Sequence, residues 1–140
     1  MLANTETLRV IRQWVEKAEN DLKNAAHTLK LGSECPTDTV CFHAQQCVEK
    51  YLKALLVFEH KDVSKTHHIS ELMRLLPATL RPDLSPQDQE LLTDYAVSTR
   101  YPGDYELIPL AEARRAVRIA RRVRKQVRAL LPPTSLKQGS

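Results

Sequence analysis

Cys41-Phe42-His43-Ala44-Gln45-Gln46-Cys47-Val48-Glu49-Lys50-Tyr51-Leu52-Lys53-Ala54-Leu55-Leu56 decides the fold. Wound as a helix, this stretch is apolar over more than half its circumference. Cys41, Ala44, Val48, Tyr51, Leu52, Leu55 and Phe58 recur at helical spacing, and Val40, Cys47, Ala54 and Leu56 widen the arc. Such a helix needs cover on several sides, so it is the central helix of a bundle or lies in a subunit interface. His43, Gln46, Lys50 and Lys53 occupy the remaining strip. Gln45 projects onto the apolar arc, where an amide needs a partner. A loop backbone or a symmetry mate is the expected one.

Upstream, Leu8, Ile11, Trp14, Val15, Ala18, Leu22, Ala25 and Leu29 step by threes and fours. Asn4 or Thr5 is placed to cap this first helix, and Gly32 to stop it. Pro36 then leads to Thr37 and Asp38, either a cap for the central helix. Downstream, Glu59 to His67 is polar, and a short helix is predicted from Ile69 to Leu76. Ser85 as N-cap and Pro86 at the first helical position open the next helix, which carries Leu91, Leu92, Tyr95 and Ala96. Arg100 to Glu106, with Pro102 and Gly103, reads as a turn. Pro109 opens the last helix, which runs to Leu131 and stops at Pro132-Pro133. No segment alternates like a strand. The fold predicted is an all-α, up-and-down helical bundle of about four long helices plus a short one. It fills residues 1–133, and a polar tail occupies 134–140.

A chain of 140 residues suits one domain. Charge interrupts every apolar run, so no segment reads as a bilayer span, and with no apolar leader the expected location is the cytoplasm. Cys35, Cys41 and Cys47 read as free thiols. His60, Asp62, His67 and His68 lack metal-ligand spacing, so no metal is expected. No cofactor is called for.

The formal charge of +4 is unevenly placed. The last helix carries Arg114, Arg115, Arg118, Arg121, Arg122, Arg124, Lys125 and Arg128 against a single acid, Glu112. Arg114, Arg118, Arg121, Lys125 and Arg128 form a stripe almost opposite the apolar face. It is either a solvated surface or a track for a polyanion. No aromatic residue interleaves with it, which argues against base stacking there.

Several motifs in order resemble the HEPN domain family, in its small stand-alone prokaryotic form that accompanies minimal nucleotidyltransferases. They are Trp14 with Ala18-Glu19-Asn20-Asp21-Leu22, Cys41 to Gln46 with Glu49-Lys50 and Leu52-Lys53-Ala54-Leu55, Thr66-His67-His68-Ile69 with Leu72, Thr99-Arg100-Tyr101-Pro102-Gly103-Asp104, and Glu112-Ala113. The resemblance spans about Trp14 to Leu131. It implies a bundle that pairs as a homodimer. It also implies nucleotide or RNA handling, often as half of a toxin–antitoxin-like pair with a nucleotidyltransferase. Ribonuclease members place a histidine after an arginine, with four to six residues between. Here Arg100 is followed by Asp104, Tyr105, Glu106 and Leu107 with no histidine. Neither Asp104 nor Tyr105 has an ordinary pKa near neutrality, so a binding module is expected rather than a nuclease, with a purely structural dimer as the remaining alternative. The candidate ligand-binding residues are Lys50, Lys53, Arg100, Tyr101, Arg118 and Arg121. Were the chain a nuclease, Arg100, Asp104 and Tyr105 would carry the reaction.

Overall fold

In a computed structural model, residues 4–63, 65–96 and 107–136 are described. They form five helices: α1 (Thr5–Leu29), α2 (Thr37–Phe58), α3 (Ile69–Leu75), α4 (Pro86–Ala96) and α5 (Leu110–Leu130). No strand occurs among the described residues. The architecture is an all-α, up-and-down bundle with α2 at its centre.

Local chemistry sets most boundaries. The Asn4 side chain accepts a hydrogen bond from the Thr7 N–H at 2.7 Å, so Asn4 caps α1. At the other end the chain turns through Gly32 at φ +60°, a conformation that costs glycine least. Ser85 accepts from the Asp88 N–H at 3.1 Å and opens α4 as predicted. The start of α2 is different. Neither Thr37 nor Asp38 caps it; the N-cap is Pro36, without a side-chain bond. Thr37 Oγ1 instead donates to the Ile108 carbonyl at 2.7 Å, tying the start of α2 to the lead-in of α5. At its far end α2 closes in a Schellman arrangement. The Lys61 and His60 N–H groups donate to the carbonyls of Leu56 and Val57, with His60 at φ +57°.

The apolar arc of α2 is covered within one chain. α1 takes the largest share, α5 the next, and α4 and α3 close the remainder. From Val40 to Leu56, thirteen residues of α2 are buried. Tyr51, Leu52, Leu55 and Leu56 are among the largest fully buried side chains. Truncating one such leucine costs about 2–5 kcal/mol, so this helix alone carries much of the fold's stability. A second subunit is therefore not needed to bury the arc, which removes the physical reason the sequence offered for a dimer.

The C-terminal boundary also shifts. Thr134, Ser135 and Leu136, read from the sequence as tail, belong to a 3-10 turn (Pro133–Ser135) and its cap. Ser135 is fully buried and its hydroxyl donates to the Pro132 carbonyl at 2.6 Å. Arg12 reaches the Thr134 carbonyl at 3.3 Å, and Leu136 packs on the core.

Candidate functional site

Three sets of charged side chains lie along the seams of the bundle. The first joins α1 to α2. Asp21, buried on α1, accepts from Lys50 Nζ and pairs with His43 Nδ1 at 2.8 Å. One turn along, Glu49 lies inside α2. It accepts from Gln45 Nε2 at 2.9 Å and Lys53 Nζ at 3.0 Å, and pairs with His67 Nδ1 at 2.8 Å. Lys53 also sits over the Trp14 ring, 5.5 Å from its centroid. The strip that the sequence left free is thus largely enclosed. The side chains of Lys53 and Glu49 are only 7% and 4% exposed. Burial pushes the Glu49 carboxyl upward, but His67, Gln45 and Lys53 outweigh it and hold it below the ordinary range. The partner of Gln45 is accordingly Glu49, with Gln46 donating to its oxygen at 2.7 Å, and not a loop or a symmetry mate. Lys50 and Lys53, read as ligand-binding residues, are each matched by a carboxylate.

The second set joins α1 to α5. Arg124 Nε donates to both oxygens of Glu19, at 2.8 and 3.0 Å, and Arg128 adds a bond at 3.0 Å. Burial again raises the carboxyl, and the two guanidiniums more than reverse it, so Glu19 stays below the usual range. Two cavities of about 490 and 530 Å³ run along this seam and share Glu19 and Arg124. The third set joins α4 to α5, where Arg115 meets Asp88 at 2.7 Å and Arg122 lies 3.9 Å from it.

These contacts sort the eight basic residues of α5. Arg115, Arg122, Arg124 and Arg128 have carboxylate partners. Arg114, Arg118, Arg121 and Lys125 are exposed and make no ion pair among the described residues. Their 4-3-4 spacing places them within about 60° of one another on the helix, along a stripe about 16 Å long. Like charges at such spacing repel by about 0.2–0.5 kcal/mol per pair. A merely solvated face usually mixes signs; this one does not. Of the predicted site residues, Arg118 and Arg121 sit in the stripe, Lys50 and Lys53 at the α1–α2 seam, and no described contact joins the two groups. Arg128, assigned to the stripe from the sequence, is drawn aside to Glu19. Arg100, Tyr101, Asp104 and Tyr105 lie outside the described residues.

Sequence reasoning missed Asp21, Glu19 and Arg12. Glu49 was legible in principle, since Glu49 and Lys53 stand four apart with the acid first. Cys41 and Cys47 are buried and free, and burial pushes the Cys41 thiol up to about 12, which disfavours its thiolate. No cluster able to hold a metal ion exists among the described residues. None of their helices is long and apolar enough to cross a membrane.

Comparison with known proteins places the whole bundle. The family model for the HEPN domain matches residues 11–130. Among solved structures, TT1696 from Thermus thermophilus superposes with a TM-score of 0.71 and 29% identity, over 88% of this chain and 99% of that one. ST0689, described as an archaeal HEPN homologue, gives 0.67 and 27%, over 86% and 96%. No curated protein sequence matches the chain.

Proposed function

The chain belongs to the HEPN family, and on that premise we propose that it is a nucleotide- or RNA-binding regulatory module. The observation that carries this reading is the sorting of α5, where Arg114, Arg118, Arg121 and Lys125 form an exposed stripe that no carboxylate among the described residues neutralises. An unbalanced row of cations on a rigid helix favours a polyanion, whose phosphates release counterions on binding. Four phosphate contacts to single-stranded RNA give a slope of about −3 in log affinity against log salt. A titration of binding against salt measures it, and a flat dependence would count against the stripe.

The module acts as a homodimer with a minimal nucleotidyltransferase in a toxin–antitoxin-like pair. The similarity to small stand-alone HEPN proteins supports this. Size-exclusion chromatography with light scattering tests both associations. Alone, the protein should run at twice its 16.0 kDa chain mass. Co-expressed with a minimal nucleotidyltransferase from the same genome, it should run as a larger complex. A soluble monomer in the first case, or separate peaks in the second, argues against the respective association.

Catalysis is not part of the proposal. Arg100 is followed by no histidine at the family's ribonuclease spacing, and general acid–base chemistry near neutral pH favours that residue. Structured and single-stranded RNA incubated with the protein in chelator should therefore remain intact. Cleavage that disappears in Arg100→Ala would replace the binding module with a metal-independent ribonuclease using Arg100, Asp104 and Tyr105.

A further inference from the structure

The basic stripe of α5 borders an open groove at the α1–α5 seam. Its last two members, Arg121 and Lys125, also line one of the two α1–α5 cavities, together with Lys23. That cavity shares Glu19 and Arg124 with the next one, which Arg12, Val15, Glu16, Arg128 and Leu136 complete. Arg128 lies about one helical turn beyond Lys125. A phosphodiester chain laid along the stripe toward the C-terminus of α5 therefore arrives at the second cavity. Its volume of about 490 Å³ falls within the range of small-molecule pockets and suits a terminal nucleotide.

The chemistry of the second cavity differs from that of the stripe. Three guanidiniums line this cavity with two carboxylates: Glu19, which already binds both Arg124 and Arg128, and the exposed Glu16, which leaves the cavity one positive charge in excess. Arg12 has no carboxylate partner among the described residues. Its terminal nitrogen makes one long bond to the Thr134 carbonyl, at 3.3 Å. Its Nε is shielded from solvent and has no acceptor among the described residues. A guanidinium with spare N–H groups in a fixed fork suits a group offering several acceptor oxygens. A terminal phosphomonoester offers three, with a charge of about −1.5 to −2 at neutral pH, whereas an internal phosphodiester carries a single charge.

We propose that the α1–α5 cavity recognises the terminal phosphomonoester of an RNA strand held on the α5 stripe, with Arg12 as the discriminating residue. The inference rests on the polyanion reading of the stripe and adds end selectivity to it.

The test uses single-stranded RNA of one sequence with a 5′-phosphate, a 3′-phosphate, or hydroxyls at both ends. Affinities are compared by fluorescence anisotropy at fixed salt. The parent should bind one phosphorylated form about tenfold more tightly than the hydroxyl form, and the form preferred identifies the end. Arg12→Gln should lose that preference, its affinity falling about tenfold more for the preferred phosphorylated RNA than for the hydroxyl form. Arg12→Lys keeps the charge without the fork and should show a reduced preference, which guards against misreading a variant that folds poorly. Equal affinity of the parent for all three RNAs would overturn end recognition and leave the stripe intact, as would an undiminished preference in Arg12→Gln. A parent that binds none of them would remove the stripe reading and this inference together.

Discussion

Glu49→Ala is expected to destabilise the fold by about 3–5 kcal/mol, the cost of leaving a buried charge without its counter-ion. The charge left behind is Lys53, 7% exposed and hemmed in by Trp14. A cation–π contact yields about 2 kcal/mol at best and does not replace the carboxylate. Gln45 and His67 lose an acceptor in the same variant. Replacing both charges, as Glu49→Leu with Lys53→Met, should cost less than Glu49→Ala alone, because no unpaired ion remains. Urea unfolding of the three proteins checks this. A single variant that unfolds with the parent would mean that Lys53 escapes to water. The same carboxyl makes a pH prediction. Its folded-state pKa is lowered, so its contribution is fully present above the unfolded value of about 4.3 and is lost as pH falls through the folded value. Glu19 acts in the same direction. Stability should therefore fall on acidification below about pH 5, and Glu49→Gln should show a shallower fall.

Reversing charge at Arg118 and Arg121 together should weaken RNA binding at low salt by about a hundredfold and flatten the salt dependence. Two of the four stripe cations become repulsive to phosphate, and the remaining two are separated. The helix should not suffer. Arg114 with the acid placed at 118, and the acid placed at 121 with Lys125, become opposite charges four residues apart, each favourable by a few tenths of a kcal/mol. An unchanged or slightly higher melting temperature beside the lost binding would locate the effect in the interface. Undiminished binding would assign the stripe to solvent and turn attention to the segment from Arg100 to Asp104.

Most of the fold was legible in the residue pattern alone. The period of Ile11, Val15, Ala18, Leu22 and Ala25 marks the buried face of α1. Ala113, Ala116, Val117, Ala120, Val123 and Val127 do the same for α5. Prolines and capping residues placed most ends. Periodicity works because the helical repeat is local: each residue's face follows from its neighbours' numbering alone. The start of α2 escaped because Thr37 spends its hydroxyl on Ile108, 71 residues away.

The candidate site was legible only in part, for a related reason. Composition and spacing reveal eight basic residues on α5, but not which of them are neutralised. That depends on Glu19, 105 residues before Arg124, and on Asp88, 27 before Arg115. Likewise Lys50 reads as a free cation until Asp21 of α1 is packed against it. The apolar arc of α2 was correctly read as needing cover, yet a sequence shows how much surface must be buried and not what buries it. By itself, then, the sequence determined the helices, their buried faces and the family. The tertiary structure decided which charges meet. It closed α2 within one chain, matched Lys50 and Lys53 to carboxylates, and left Arg114, Arg118, Arg121 and Lys125 unopposed among the described residues. The reason is physical: amphipathic helices are specified by local repeats, whereas ion pairing depends on distances that exist only once remote segments pack.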